Sequence, residues 1–595
     1  MRMLRISFCA FAVASMLAAS SAQAAEKQTR IGRKIPDFTL RDYLGTTHSL
    51  HDYADAKLVV VAFLGTDCPL VKLYAPKLEA IANKYRERGV VLLGINANRQ
   101  DEPRKIGAYA QRLGMTFTIL KDPNNHVADA FAAERTPEMF VLDQNRVVRY
   151  CGRVDDQYGF DSGVGYGRPK VERHDLISAI EELLADKPVS VATTRAPGCI
   201  IGRVPKVKPH GEVTYSNQIS RILQNRCMEC HRDGEIGPFP LTNYEEVLGW
   251  GEMIRETIDT GRMPPWYANP KYNHFKNDPR LTAEEKQLVS EWVDNGQPEG
   301  DPADLPEPRQ FAVGWQIPEP DAVYQYGSKP FHVPADGVVD YQYFTVDPGF
   351  KEDKWIQAAE AKPGNRSVVH HIIVFIQTPD QGRGGGGFRR GGALIGYAPG
   401  MQARSYRKGV ALRIPAGSKF VFQMHYTPVG TPQEDLSSVG VVFADPKDVE
   451  YEVRGGISGN VSFQIPPGAS DYVVTTHHRL RHDTLLVSML PHMHLRGTAF
   501  RYEAEYPDGT SEVLLDVPRY DFNWQLWYEL EQPKLLPAGT RIKCTAHFDN
   551  SEDNVYNPDP TKTVTFGEQT WEEMMFGFYT TITPVKKPLK TASLR

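Results

Sequence analysis

The chain has 595 residues, of which 41% are hydrophobic and 24% charged. That balance excludes a largely disordered protein and leaves apolar surface for about four cores at roughly 150 residues per domain. A net charge of −5 excludes the basic groove of a nucleic-acid binder.

In chain order, residues 1–24 read as a signal peptide. Arg2 and Arg5 precede an apolar run that ends in Ala22-Gln23-Ala24, the small-x-small pattern of a cleavage site. The expected location is periplasmic or secreted. No later stretch reaches eighteen uninterrupted apolar residues, so no membrane span is expected once the signal is removed. Cys9 lies within this segment, which leaves Cys68, Cys151, Cys199, Cys227, Cys230 and Cys544, too few for a disulfide scaffold.

Residues 30–188 alternate between strands and helices. Lys57 to Leu64 and Val90 to Asn96 read as buried strands, with an amphipathic helix from Lys72 to Arg88 between them. A helix from Pro103, strands at Thr116–Leu120, Met139–Asp143 and Val147–Cys151, and a closing helix at Asp175–Ala185 complete an α/β domain. The Pro/Val/Thr-rich residues 189–212 read as a linker. Residues 213–300 read as all-α, with a capping box at Thr282-Ala-Glu-Glu285 opening the last helix. A second Pro-rich linker, 301–322, leads to short alternating runs separated by Gly, Pro and Asp, the spacing of β sandwiches. Two in tandem are expected, 323–455 and 456–585, and the Gly-rich 382–387 reads as a low-complexity loop.

Three groups of residues carry chemistry. Cys227-Met228-Glu229-Cys230-His231 is a CxxCH sequence, in which two thiols can form thioethers to a covalent haem c while His231 becomes the proximal iron ligand. Met263, in Arg262-Met-Pro-Pro-Trp266, is the expected second axial ligand in preference to Met253, which lies within an amphipathic helix. His/Met ligation raises the potential and suits electron transfer. The segment resembles a class I cytochrome c in the CMECH motif, the MPPW loop and the helix before Gly296.

The last third contains Val369-His370-His371-Ile372, Gln423-Met424-His425-Tyr426 and Pro491-His492-Met493-His494-Leu495. Alternate residues of a strand share a face, so His492 and His494 can bind one metal, whereas the adjacent His370 and His371 need a bulge or twist to converge. Imidazole with thioether selects copper that cycles through Cu(I). This pattern, with Gly396-Tyr-Ala-Pro-Gly400, Ile414-Pro-Ala-Gly417 and Glu572-Glu573-Met574, resembles the copper type II, ascorbate-dependent monooxygenases. The resemblance implies two jelly-roll domains carrying two copper ions across a solvent-filled cleft. It assigns His370, His371 and His425 to the electron-donating copper, and His492, His494 and Met574 to the oxygen-activating one. Met575 stands where that family has a cysteine, so the disulfide it would make with a position like Cys544 is absent. His477 and His478 lie in a polar stretch and read as solvated surface, and His547 as structural.

Residues 31–188 resemble the redoxin and thioredoxin-like family, through Phe63-Leu-Gly-Thr-Asp-Cys-Pro69 and the cis-proline-like Thr136-Pro137. A thiolate at a helix N-terminus makes Cys68 the candidate nucleophile. Val71 stands where a CxxC would need its second cysteine, and Thr66 is two, not three, residues before Cys68. Cys151 and Cys199 are both candidate resolving partners.

Together these parts point to an exported copper monooxygenase that hydroxylates a small organic or peptide substrate with O2. An external donor supplies its electrons through the cytochrome segment. The alternatives are a thiol peroxidase or disulfide oxidoreductase centred on Cys68, and a copper-binding electron carrier without turnover.

Overall fold

The computed structural model describes residues 30–585, apart from 162–163, 169, 312–313, 336, 338, 382–391, 399–400, 402 and 430–431. The expected signal peptide, the Gly-rich loop and Gly400 therefore lie outside the described residues. By its contacts the chain forms two units, Met1–Pro264 with Leu281–Glu307, and Pro265–Arg280 with Pro308–Arg595.

The first unit begins with strands β1 (Thr39–Asp42), β2 (Thr47–Ser49), β3 (Leu58–Phe63), β4 (Val90–Asn96), β5 (Ile119–Lys121), β6 (Arg135–Thr136), β7 (Glu138–Leu142) and β8 (Val148–Gly152). All but β6 join one sheet in the order β2-β1-β5-β4-β3-β7-β8. β3 runs parallel to β4 and antiparallel to β7, and its Leu-Val-Val-Val-Ala-Phe sequence is buried at every position. Such a continuous apolar run is what a strand covered on both faces requires. Helices α1 (Pro69–Tyr85), α2 (Pro103–Arg112) and α3 (Asp175–Leu184) complete a thioredoxin-like α/β domain. Pro69 and Pro103 open their helices at the first turn, where the missing N–H costs nothing.

The stretch expected as a linker is strapped onto this domain. Cys151 N–H donates to the Ala192 carbonyl at 3.0 Å and Thr194 N–H to the Cys151 carbonyl at 3.0 Å. Strand β9 (Cys199–Ile200) pairs antiparallel with β6. Ile201 N–H donates to Glu134 O at 2.9 Å and Arg99 N–H to Gly202 O at 2.7 Å. No side-chain periodicity announces such a strap, because its partners are backbone groups.

Beyond it come α4 (Ser220–Arg226), α5 (Tyr244–Val247), α6 (Gly251–Asp259) and α7 (Ala283–Asp294). The Thr282 hydroxyl accepts from Glu285 N–H, and the Glu285 carboxylate from Thr282 N–H, so the expected capping box is present. These helices are short, and turns make up much of residues 213–300.

The second unit is β-sheet-rich. Two cores lie between layers: one joins Ile372, Val374, Phe420 and Phe422 to Ile356, Val439 and Val441, the other Phe500, Tyr502, Leu514 and Ala546 to Met489, Tyr528 and Met575. One layer of each core is a four-stranded sheet, containing Val369–Gln377 and Lys419–Tyr426 in the first and Gly497–Glu505 and Arg541–Phe548 in the second. The other layer is shared, a single nine-stranded sheet. Tyr451–Asn460 joins its halves, pairing parallel with Val410–Ile414 and antiparallel with Met575–Pro584. Residues 455–460, where a division was expected, are thus inside a strand. Trp266, Tyr267 and Phe275, from the segment after the helical region's Met263-Pro264, belong to the second core.

Candidate functional site

The first histidine set forms as strand geometry demands. His371 stands opposite His425, and a bulge between Val369 and His371 turns His370 to the same side. One ligand atom from each of His370, His371 and His425 lies within 4.8 Å of the others. His370 Nδ1, His371 Nε2 and His425 Nδ1 are buried without hydrogen-bond partners. Burial lowers the pKa of all three, to about 4 for His370 and about 3 for His425, and the neighbouring imidazoles lower His371 and His425 further. Three neutral rings with uncommitted nitrogens are a ligand set for a soft or borderline metal, so the residues present fit copper. Tyr341 covers the cluster, its ring centroid 5.2 Å from that of His371 and 4.9 Å from that of His425.

The second set lies on the end of Thr484–His492 and the turn after it. The rings of His492 and His494 are 5.3 Å apart at 87°. His492 Nδ1–H donates to Gln525 Oε1 at 2.5 Å, and His494 Nδ1–H to the Glu572 carbonyl at 3.2 Å. These bonds set the tautomers that present Nε2 as a ligand atom. Burial lowers both imidazoles, to about 4 and about 3. Met574 is 2% exposed and follows Glu573, whose carboxylate accepts from His494 N–H at 2.9 Å and from Arg496 N–H at 2.7 Å. The Phe522 ring lies 5.8 Å from His370, nearly parallel to it, and 6.1 Å from His494, edge-on. Where the resemblance implies a solvent-filled cleft, an aromatic ring touches one imidazole of each set.

His477 and His478 are exposed on Tyr472–Arg479. His547 Nδ1 bonds Asp471 at 2.7 Å. Cys544 is a free, buried thiol.

In the first unit, Cys227 caps the C-terminus of α4, and His231 N–H donates to its carbonyl at 2.9 Å. His231 Nδ1–H donates to Phe239 O at 3.0 Å, the bond that orients a proximal ligand with Nε2 outward, and burial lowers its pKa. Burial pushes the Cys227 thiol up to about 12 and Cys230 to about 11. The residues fit covalent haem attachment. Met263 follows α6, its N–H on Thr257 O at 3.0 Å, while the buried Met253 sulfur accepts from Ile200 N–H at 3.4 Å.

Cys68 is the N-cap residue of α1 and is 2% exposed. Its loop is anchored by buried Asp101, which accepts from Thr66 N–H at 3.0 Å, Thr66 Oγ1–H at 2.5 Å and the Asn96 amide at 2.8 Å. The Cys68 thiol donates to the Thr136 carbonyl at 2.9 Å, beside the cis Thr136–Pro137 bond.

Glu573, Phe522, Gln525 and Tyr341 were not among the expected site residues. Glu573 stands in the Glu-Glu-Met string already singled out and Tyr341 opens the alternating run Tyr341–Val346; Phe522 and Gln525 lie in a loop with no periodic signal.

Comparison with known proteins bears on the first unit. Residues 31–151 match the AhpC/TSA family. The thiol-disulfide oxidoreductase ResA of Geobacillus thermodenitrificans is 32% identical over 120 residues, 20% of this chain and 67% of that protein. A chloroplastic peroxiredoxin Q of Populus jackii is 28% identical over 125 residues, 20% of this chain and 57% of that protein. A crystal structure of a hypothetical protein from Sinorhizobium meliloti 1021 is 30% identical, covers 29% of this chain and 94% of that one, and has a TM-score of 0.26. Among the described residues no helix is long and apolar enough to cross a membrane. With a cis-proline between β6 and β7, a helix-capping Cys68 and a thioredoxin-like sheet, this chain belongs, through residues 31–151, to the AhpC/TSA family of oxidoreductases.

Proposed function

We propose that the protein is an exported, periplasmic or secreted copper-dependent monooxygenase that hydroxylates a small organic or peptide substrate with O2. Cys227, Cys230, His231 and Met263 would hold a haem c, which would supply single-electron transfer from an external donor. In this reading the helical stretch is a class I cytochrome c and the two layered cores are jelly rolls.

The observation that carries the reading is the first histidine set, with three ligand atoms within 4.8 Å of one another and a buried, uncommitted nitrogen on each ring. The all-imidazole set would hold copper in both oxidation states and suit electron storage; His492, His494 and the Met574 thioether would hold a second copper and favour Cu(I). Copper, when bound, supplies single-electron transfer and activation of O2. The chain's own part is positional. The bulge at His370 aims a ring, Gln525 and the Glu572 carbonyl hold two tautomers, Glu573 fixes the turn between His494 and Arg496, and Phe522 and Tyr341 pack against the imidazoles.

Metal analysis of the reconstituted protein tests this. The expected content is about two copper ions per chain, falling to about one when His370 and His425, or His492 and His494, are replaced by alanine. With reductant the wild type should consume O2 and release a hydroxylated product, while Met574→His should keep copper and lose hydroxylation. Preference for zinc, or no copper uptake, defeats the reading.

A further inference from the structure

The AhpC/TSA match ends at residue 151, and the strap that follows carries a second sulfur into the Cys68 site. Backbone pairing places it there. In β9, Cys199 stands opposite Thr136 and Ile200 opposite Arg135. The Cys68 thiol donates to the carbonyl of that same Thr136 at 2.9 Å. Both cysteines therefore converge on one residue of β6.

Gly198 permits the approach. Its φ is +118°, and a Cβ would lie 2.2 Å from the Thr136 oxygen. The strap is also held from the helical side. Arg135 donates to the Gly198 carbonyl at 2.8 Å and pairs with Glu256 of α6 at 2.5 Å; Arg262 pairs with Glu256 at 3.2 Å. Cys151, the other candidate partner, turns its sulfur toward Thr193 Oγ1 at 3.8 Å.

We propose that Cys68 and Cys199 form one redox centre, a dithiol that closes reversibly to a disulfide, with Cys68 attacking and the strap-borne Cys199 resolving. Burial alone would raise the Cys68 thiol, but hydrogen bonds from the Cys199 thiol and N–H and from Val71 N–H outweigh it and lower its pKa. The same contact, with burial, raises Cys199. One sulfur is thus the thiolate and the other its proton-bearing neighbour.

Cys68 and Cys199 are 2% and 6% exposed, so the oxidant must be small. Tyr109, 6% exposed, has a hydroxyl without a hydrogen-bond partner. Tyr109 is close enough to Cys68 for a thiolate there to raise its pKa, second to the effect of burial. An unpaired hydroxyl beside a thiolate suits an oxygen of a small hydroperoxide. The Cys68 thiolate attacks the outer oxygen, the O–O bond breaks, and with one proton the alcohol or water leaves, giving Cys68 sulfenic acid. Cys199 then attacks the Cys68 sulfur, the S–O bond breaks, and water leaves with the Cys199 proton as the disulfide forms. Two equivalents of a small thiol reopen it, becoming a disulfide themselves.

The full chain, reduced and then treated with one equivalent of hydrogen peroxide, is digested without reductant and mapped by mass spectrometry. A peptide pair joined through Cys68 and Cys199 is expected in the wild type and in Cys151→Ser. In Cys199→Ser that pair is absent and dimedone labels Cys68. A Cys68–Cys151 linkage, equal dimedone labelling of Cys68 in wild type and Cys199→Ser, or an unoxidised Cys68 would overturn the proposal. The wild-type map alone decides the matter if Cys199→Ser does not fold.

Discussion

Glu573 shows how much a single buried carboxylate can organise. It is fully buried, and two backbone N–H groups of the turn after His492 end on it. Arg496, 1% exposed, lies 4.0 Å away and is held by Asn550 and the Trp571 carbonyl. Burial pushes Glu573 up to about 7, although the N–H groups of Arg496 and His494 and the Arg496 charge pull the other way. Replacement by alanine strands both donors and leaves Arg496 without its nearest anion. Glu573→Ala should therefore cost about 3–5 kcal/mol in urea unfolding, and Glu573→Gln, which keeps one acceptor oxygen, distinctly less. Cys68 offers a second residue-scale check. Its pKa is lowered to about 7, and among the groups that lower it the Cys199 thiol has the largest effect, so Cys199→Ala should move the midpoint of thiolate absorbance at 240 nm to higher pH. An unchanged midpoint would mean that the N–H groups and the Thr136 side chain hold the thiolate without the Cys199 thiol.

At the scale of elements, β6 and β9 are two residues each, and a two-residue pairing survives only where its surroundings enforce it. Here the enforcement is Gly198 against Thr136, with Arg135 fastening the strap to α6 through Glu256. Gly198→Ala forces a side chain into a left-handed backbone and onto a carbonyl oxygen. It should cost about 1–3 kcal/mol and raise hydrogen exchange at Ile200 and Ile201, whose N–H groups bond Met253 and Glu134. The same variant should lower the yield of the Cys68–Cys199 disulfide. The bulge at His370 plays the corresponding part in the second unit, since regular pairing would send His370 and His371 to opposite faces.

At the scale of the whole molecule, the proposed haem, copper and thiol chemistries would share one chain, and their independence can be measured. A haem stain that survives denaturation should vanish in the Cys227→Ala/Cys230→Ala double variant while copper content stays near two. Met263→Ala should keep the haem and lower its potential, because loss of a thioether removes the ligand that favours the reduced state. A native potential in that variant would exclude Met263 as the axial ligand. The second unit also takes Pro265–Arg280 from the middle of the helical stretch. Phe275, 8% exposed against Trp266 and Tyr528, is part of that contribution, and Phe275→Ala should cost about 3–5 kcal/mol in the second unit's transition.

The main strands of residues 30–188 were legible because burial on both faces writes continuous apolar runs, whereas α1 opens at Pro69, three residues before the expected Lys72, and the short strands β1 and β2 were not read. The histidine pairs, the CxxCH motif and the need for a bulge at His370 were legible because ligand spacing is local. Three things were decided by tertiary structure alone. Cys199 rather than Cys151 meets Cys68 because a strap with no side-chain pattern pairs through its backbone with β6. Tyr451–Asn460 fuses the two layered cores into one sheet, since strand pairing between distant segments leaves no periodic trace in either. Phe522 reaches an imidazole of each histidine set because loops converge by folding, and a loop's destination is set by contacts that no neighbouring residue encodes.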